Sequence, residues 1–133
     1  MPAQGRKNVH GKTGVRFKTG YTKSKYENML RNVVTDLVIH GHVKVTKAVS
    51  KDVTKEAARL VTLTKKEDVM NAKRSAAAFL RNVKDENGMK AIDVLFDEIG
   101  PKMKDRNGGY TRALRLENRR GDDAPIVMVT WVD

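Results

Sequence analysis

The run Ile126-Val127-Met128-Val129-Thr130-Trp131-Val132 constrains the fold more than any other stretch of this 133-residue chain. Successive side chains of a strand point to opposite faces, so Val127, Val129 and Trp131 share one side and Ile126, Met128 and Val132 the other. Both sides are apolar. A strand of that kind is either central in a sheet or covered. The sequence offers two partners. Tyr110 to Glu117 reads as a strand that meets the last one through the turn Gly121-Asp122-Asp123-Ala124-Pro125, giving a hairpin. His42 to Lys47, where Val43 and Val45 alternate with polar residues, reads as a third, short strand.

What covers the sheet is written in apolar residues at helical spacing. Ser24-Lys25-Tyr26-Glu27 has the spacing of a capping box, followed by Tyr26, Met29, Leu30, Val33, Leu37 and Val38. A first helix is therefore predicted over 25–40, with Gly41 as its C-terminal cap. Ser50 is the expected cap of a second helix, which buries Val53, Ala57, Leu60, Val61 and Thr64. Asp68 caps a third, whose stripe is Val69, Ala72, Ala76, Phe79, Leu80 and Val83 and which the Asp85-Glu86-Asn87-Gly88 turn ends. Met89, Ile92, Leu95, Phe96 and Ile99 define a fourth, stopped by Gly100-Pro101. The order helix, strand, three helices, two strands predicts a single α+β domain over 22–133, in two layers, with the helices on one face of a small mixed sheet.

Residues 1–21 break the pattern, having four glycines and neither a helical nor a strand period. Such a segment cannot bury enough apolar surface to offset its ordering entropy, so it reads as an extended basic arm that orders against a partner. Val15, Phe17 and Tyr21 interleave there with Arg16 and Lys18, a mixture suited to stacking on bases and contacting phosphates.

Charge is segregated along the chain. The formal net charge is +11, and residues 1–25 carry Arg6, Lys7, Lys12, Arg16, Lys18, Lys23 and Lys25 with no acidic residue. Residues 102–120 carry Lys102, Lys104, Arg106, Arg112, Arg115, Arg119 and Arg120 against Asp105 and Glu117, whereas the other 89 residues hold 13 basic and 14 acidic side chains. Two concentrated excesses about a balanced middle point to a polyanion, most simply nucleic acid. In the second excess Gly108-Gly109 permits positive φ and close backbone approach, Tyr110 offers a ring, and the arginines offer flat forks for phosphate. RNA contact is expected there, with Arg106, Tyr110 and Arg112 foremost. Lys51, Lys55 and Arg59 form a further stripe on the second helix that fits a solvated face and an RNA contact equally well.

Other chemistry finds little support. Without cysteine there are neither disulfides nor thiolate metal sites. No stretch approaches the ~20 apolar residues of a membrane span, and Met1 to Gly14 lacks the apolar segment of a signal peptide. A soluble, cytoplasmic protein is expected. His40-Gly41-His42 supplies two ligands with no cysteine or nearby carboxylate, too few for a closed zinc site. Asp93 and Asp97 lie one turn apart beside Glu98, as on a solvated helix face. Gly108-Gly109 lacks the flanking strand and helix of a phosphate-binding loop and its Gly-Lys-Ser/Thr ending. With no nucleophile beside a base, no active site, cofactor or small-molecule substrate is expected.

Several segments together are more specific than any one alone. Leu30-Arg31-Asn32-Val33-Val34, Leu60-Val61-Thr62-Leu63-Thr64-Lys65, Leu95-Phe96-Asp97-Glu98-Ile99-Gly100-Pro101, Arg106-Asn107-Gly108-Gly109-Tyr110-Thr111-Arg112 and Gly121-Asp122-Asp123-Ala124-Pro125 occur in that order between Met29 and Val132. In order and spacing the chain resembles the bacterial large-subunit ribosomal protein seventeen family. The resemblance implies an α+β fold and a structural protein bound to large-subunit rRNA near the peptide exit side. The family's Arg-Asn pair after the first Leu maps to Arg31 and Asn32, which join the expected RNA contacts on that ground. The N-terminus departs from the family pattern. Where the family has Lys-Leu-Gly-Arg and Ser-His-Arg, this chain reads Lys12-Thr13-Gly14-Val15-Arg16-Phe17 and Thr22-Lys23-Ser24-Lys25. Charge is kept there but individual contacts are not.

The expected RNA-binding set is thus the arm cations with Phe17, Lys23, Lys25, Arg31, Asn32, and the segment from Lys102 to Arg120, including Gly108, Gly109, Tyr110 and Thr111. The expected partners are large-subunit rRNA and neighbouring ribosomal proteins, with no membrane and no second copy of the chain. Two other readings share some of the features. A DNA-compacting, nucleoid-type protein needs the same charge, but also a symmetric dimer or a groove-reading element that the sequence does not display. An RNA-modifying accessory enzyme would have to work through Asp93, Asp97 or His42.

Overall fold

The computed structural model describes residues 22–132, and the arm over 1–21 lies outside the described residues. The fold is α+β. Helix α1 (Lys23–His40) leads through Gly41 into strand β1 (His42–Thr46), and α2 (Lys47–Thr64) and α3 (Val69–Phe79) follow. Helix α4 starts as Ala91–Val94, widens into a π-helical turn over Leu95–Ile99 and tightens again at Gly100–Lys102, ahead of β2 (Thr111–Arg115) and β3 (Ile126–Trp131).

Strand β3 is the centre of a three-stranded sheet of order β1-β3-β2, one of the two placements that its apolar faces allowed. Both pairings are antiparallel, so the sheet is not mixed. Val129 faces Val43 on one side and Ala113 on the other, and Val127 faces Val45 and Arg115. Residues directly opposite in a ladder share a face, so these define the side packed on the helices. Val129 is fully buried with Leu37, Val53, Val61 and Leu95 in one apolar cluster. Each buried side chain of this size contributes roughly 1.5–3 kcal/mol through burial. Trp131 fastens the end of β3 to the end of α1, its indole N–H donating to the Leu37 carbonyl at 3.1 Å.

Several helix boundaries differ from the sequence expectation, each for a local reason. Thr22, not Ser24, caps α1, since its extended backbone lets Oγ1 accept from the Lys25 N–H at 3.3 Å. Gly41 closes the helix with φ of 83°. Strand β1 passes straight into α2 at Lys47, whose N–H donates to Pro125 at 3.0 Å. Ser50 is therefore inside the first turn rather than at the cap, with its hydroxyl donating back to the Lys47 carbonyl at 2.7 Å.

Helix α3 keeps Asp68 as its cap but ends at Phe79 rather than running on to the 85–88 turn. The buried Thr35 hydroxyl accepts the Arg81 N–H at 3.0 Å, and Arg31 Nε donates to the Phe79 carbonyl at 2.7 Å. These bonds replace the next turn of helix. Val83, expected in the core, is consequently exposed.

Helix α4 does not stop at Gly100-Pro101. A proline within a helix removes an N–H and its ring crowds the preceding turn; here the wide turn just before Pro101, with Gly100 N–H reaching back to Leu95, carries the chain past it. Such π-turns commonly accommodate an irregularity inside a helix.

Candidate nucleic-acid interface

The segment from Lys102 to Arg120 divides into a clamp, a strand and a loop. In the clamp, Met103 is buried and anchors the chain behind α4, leaving Lys102, Lys104 and Arg106 exposed around it. Gly108 and Gly109 turn the chain with φ of 156° and 61°, and no atom would obstruct a Cβ at either. Their requirement is therefore conformational.

Tyr110 is the main correction at this site. It is only 6% exposed and belongs to the core, so its ring is not available for base stacking. Its hydroxyl donates to the Arg106 carbonyl at 3.2 Å and accepts from Lys65 Nζ at 2.9 Å, while the same ammonium also donates to the Arg106 carbonyl. The tyrosine thus moors the basic loop to the C-terminal end of α2. Arg106 itself remains exposed, with one guanidinium nitrogen 3.3 Å from the Gly109 carbonyl.

Strand β2 splits its arginines between the two faces of the sheet. Arg112 lies opposite Thr130, which in turn faces His42, and so sits on the face away from the helices together with Leu114, Met128 and Lys44. Leu114 is 41% exposed there; the apolar side of β2 is thus not its core side. Arg115, with Ala113, turns toward α2. It lines a cleft of about 340 Å³ with Lys47, Ser50, Lys51, Thr54, Pro125 and Val127. Thr111, half-buried, faces Trp131.

Beyond β2, Arg119 is already committed. Its guanidinium donates to both oxygens of Asp122, at 3.1 and 2.5 Å. The pairing holds the Asp122 carboxyl down at about 2, with the Ala124 N–H adding to the effect, and raises Arg119 further. Arg120 is exposed next to it.

The contacts carried over to α1 also have partners within the chain. Arg31 binds the end of α3, and Asn32 Oδ1 accepts Arg81 Nε at 2.9 Å, joined by Asn28 at 3.2 Å. These residues hold the first helix against the segment after the third. Lys23 and Lys25 are exposed in the first turn of α1, and Arg6, Lys7, Lys12, Arg16, Phe17 and Lys18 lie outside the described residues.

The second helix gains weight from the fold. Lys65 meets Tyr110 at the start of β2 and Lys47 and Lys51 meet Arg115 at its end, so β2 runs alongside α2 in the opposite direction. Lys55 and Arg59, at four-residue spacing from Lys47 and Lys51, are exposed on the turns between. The Tyr26 hydroxyl donates to Asp52, placing the first turn of α1 at this same end of α2. Lys47 was absent from the sequence-based set, although its spacing from Lys51 was readable. Among the described residues no group of three His, Cys, Asp or Glu side chains could hold a metal, and no helix is long and apolar enough to cross a membrane.

The family model described as ribosomal protein L17 matches residues 29–132. A large ribosomal subunit protein bL17 of Oenococcus oeni is 40% identical over 124 residues, covering 84% of this chain and 94% of the relative. Proteins of the same name from Limosilactobacillus reuteri and Streptococcus pneumoniae are 43% and 42% identical, covering 87% and 86% of this chain and 97% of each relative. With the fold, the basic loop and the Gly-Asp-Asp-Ala-Pro turn all inside the matched region, the chain belongs to the ribosomal protein L17 family.

Proposed function

We propose that this protein is a structural constituent of the large ribosomal subunit that binds folded rRNA near the peptide exit side. As a member of its family it is a structural ribosomal protein of the bacterial cytoplasm, not an enzyme, and its partners are rRNA and neighbouring ribosomal proteins. The observation that carries the RNA-binding part is the line of cations along α2, with Lys47, Lys51, Lys55 and Arg59 beside a β2 that ends in Arg115. Lys102, Lys104 and Arg106 extend that line at the loop moored by Tyr110. Arg112 adds a cation on the outer sheet face, and the arm adds its own through charge alone. Contacts of this kind go mainly to phosphate and ribose and read RNA shape more than sequence.

The decisive experiment is sedimentation of a lysate through a sucrose gradient at moderately high salt. The protein should remain with the large subunit, and its appearance in the free fraction would refute the assignment. Binding of the purified protein to large-subunit rRNA fragments gives a second measure. If about six phosphates are neutralised, log affinity should fall with log salt at a slope of roughly −4 to −5. Cross-links from a photoreactive group placed at position 115 test the location, which requires rRNA around the peptide exit.

A further inference from the structure

The cleft between the first two turns of α2 and the β2–β3 hairpin has a chemistry more particular than positive charge. Its walls carry Lys47, Lys51 and Arg115, and no acidic side chain lines it. Its apolar lining is Ala113, Pro125 and Val127. Its volume of about 340 Å³ falls at the lower end of the ~300–1,000 Å³ typical of small-molecule sites.

Half-buried Thr54 is also part of the lining. Its hydroxyl donates to the Lys51 carbonyl at 2.9 Å, as the deeper Ser50 does to Lys47 at 2.7 Å. A hydroxyl bonded in this way keeps its lone pairs free to accept from a ligand hydroxyl. The walls are fixed in advance by the bond from Lys47 N–H to the Pro125 carbonyl and by the buried Val127.

We propose that this cleft seats one ribonucleotide of an RNA strand, with phosphate on Lys47, Lys51 and Arg115 and the ribose 2′-hydroxyl donating to Thr54. The inference deepens the RNA-binding reading above and rests on it. The 2′-hydroxyl is the group by which a protein distinguishes RNA from DNA at a given site. The cleft therefore supplies discrimination that the rest of the basic surface does not need to provide.

The test uses the full-length protein and two single-stranded ten-nucleotide oligomers of the same sequence, one RNA and one DNA. Loss of one net hydrogen bond in Thr54→Val should weaken RNA binding about fivefold and leave DNA binding within about twofold, so that the preference for RNA shrinks. Thr54→Ser keeps the acceptor and should restore it. Lys51→Ala should weaken both oligomers. The Thr54, Ala113 and Val127 methyl resonances should shift with the RNA. Equal binding of RNA and DNA by the unaltered protein, equal weakening of both by Thr54→Val, or unmoved methyl resonances would each overturn the cleft assignment. If the protein nevertheless stays with the large subunit in the gradient, only the cleft assignment fails; if it leaves the subunit, the broader reading fails.

Discussion

Lys65 and Tyr110 are 45 residues apart, yet the lysine ammonium lies 4.8 Å from the centre of the tyrosine ring and 2.9 Å from its hydroxyl. This contact joins the end of α2 to the turn in front of β2, and the Arg106 carbonyl between them accepts from both side chains. The basic loop is held from inside the domain. Its cations are presented by a buried anchor.

Replacing that anchor should therefore alter stability before it alters RNA chemistry. Tyr110→Ala removes a buried aromatic and should cost about 3–5 kcal/mol. Tyr110→Phe keeps the ring and loses only the hydroxyl bonds, a cost of about 0.5–1.5 kcal/mol. Urea unfolding measures both. If Tyr110→Phe remains folded, its RNA affinity should change far less than that of an Arg106→Ala variant.

Gly100 faces a tighter steric constraint than the Gly108-Gly109 pair. A Cβ built there would come within 3.1 Å of Thr64 Cβ and 3.3 Å of the Leu95 carbonyl oxygen, on either side of the π-turn. Gly100→Ala should destabilise by about 1–3 kcal/mol through overpacking. Thermal unfolding should show the loss.

Arg31 provides a test of structural against RNA-binding roles. Its bond to the Phe79 carbonyl is a charge-assisted link between α1 and the end of α3. Arg31→Ala should cost about 1.5–3 kcal/mol in urea unfolding. Amide exchange should quicken at Leu80 and Arg81, where the chain leaves the helix.

Asp122 gives a pH prediction with a defined sign. Its carboxyl is held at about 2, below the ordinary 3.8, by Arg119 and then by the Ala124 N–H. A carboxylate lowered on folding stabilises the fold above its ordinary value, and that contribution disappears as pH falls from about 3.8 to about 2. Carbon NMR titration should place the midpoint near the lower value, and Arg119→Ala should move it upward. At neutral pH Asp122→Asn releases the guanidinium and should strengthen RNA binding, making the salt slope steeper by up to about 0.9.

Much of the fold was legible because it follows from short-range patterns. Val127 and Val129 alternating with Ile126 and Met128 marked a strand that is central or covered, and β3 is central. Asp68 and Gly41 acted as the caps their chemistry suggested. The end of α3 was not legible. Apolar spacing continued to Val83, but Thr35 and Arg31, more than 40 residues earlier, captured Arg81 and Phe79 and ended the helix. Pro101 read as a stop because the wide turn that carries α4 past it has no distinct signature in the sequence.

The candidate site divides in the same way. Charge segregation marked Lys102 to Arg120 as a basic segment, since charge is a property of composition. Which side chains face outward is a property of packing. Tyr110 looked like a stacking ring and became core, Arg119 was taken by Asp122, and Lys47 and Lys51 acquired Arg115 as a neighbour. By itself the sequence determined the order of the helices and strands and the clustering of positive charge, because periodicity and charge are local or additive. Only the tertiary structure decided which cations meet on one surface, because the approach of α2 to β2 depends on burial and hydrogen bonds between residues far apart in the chain.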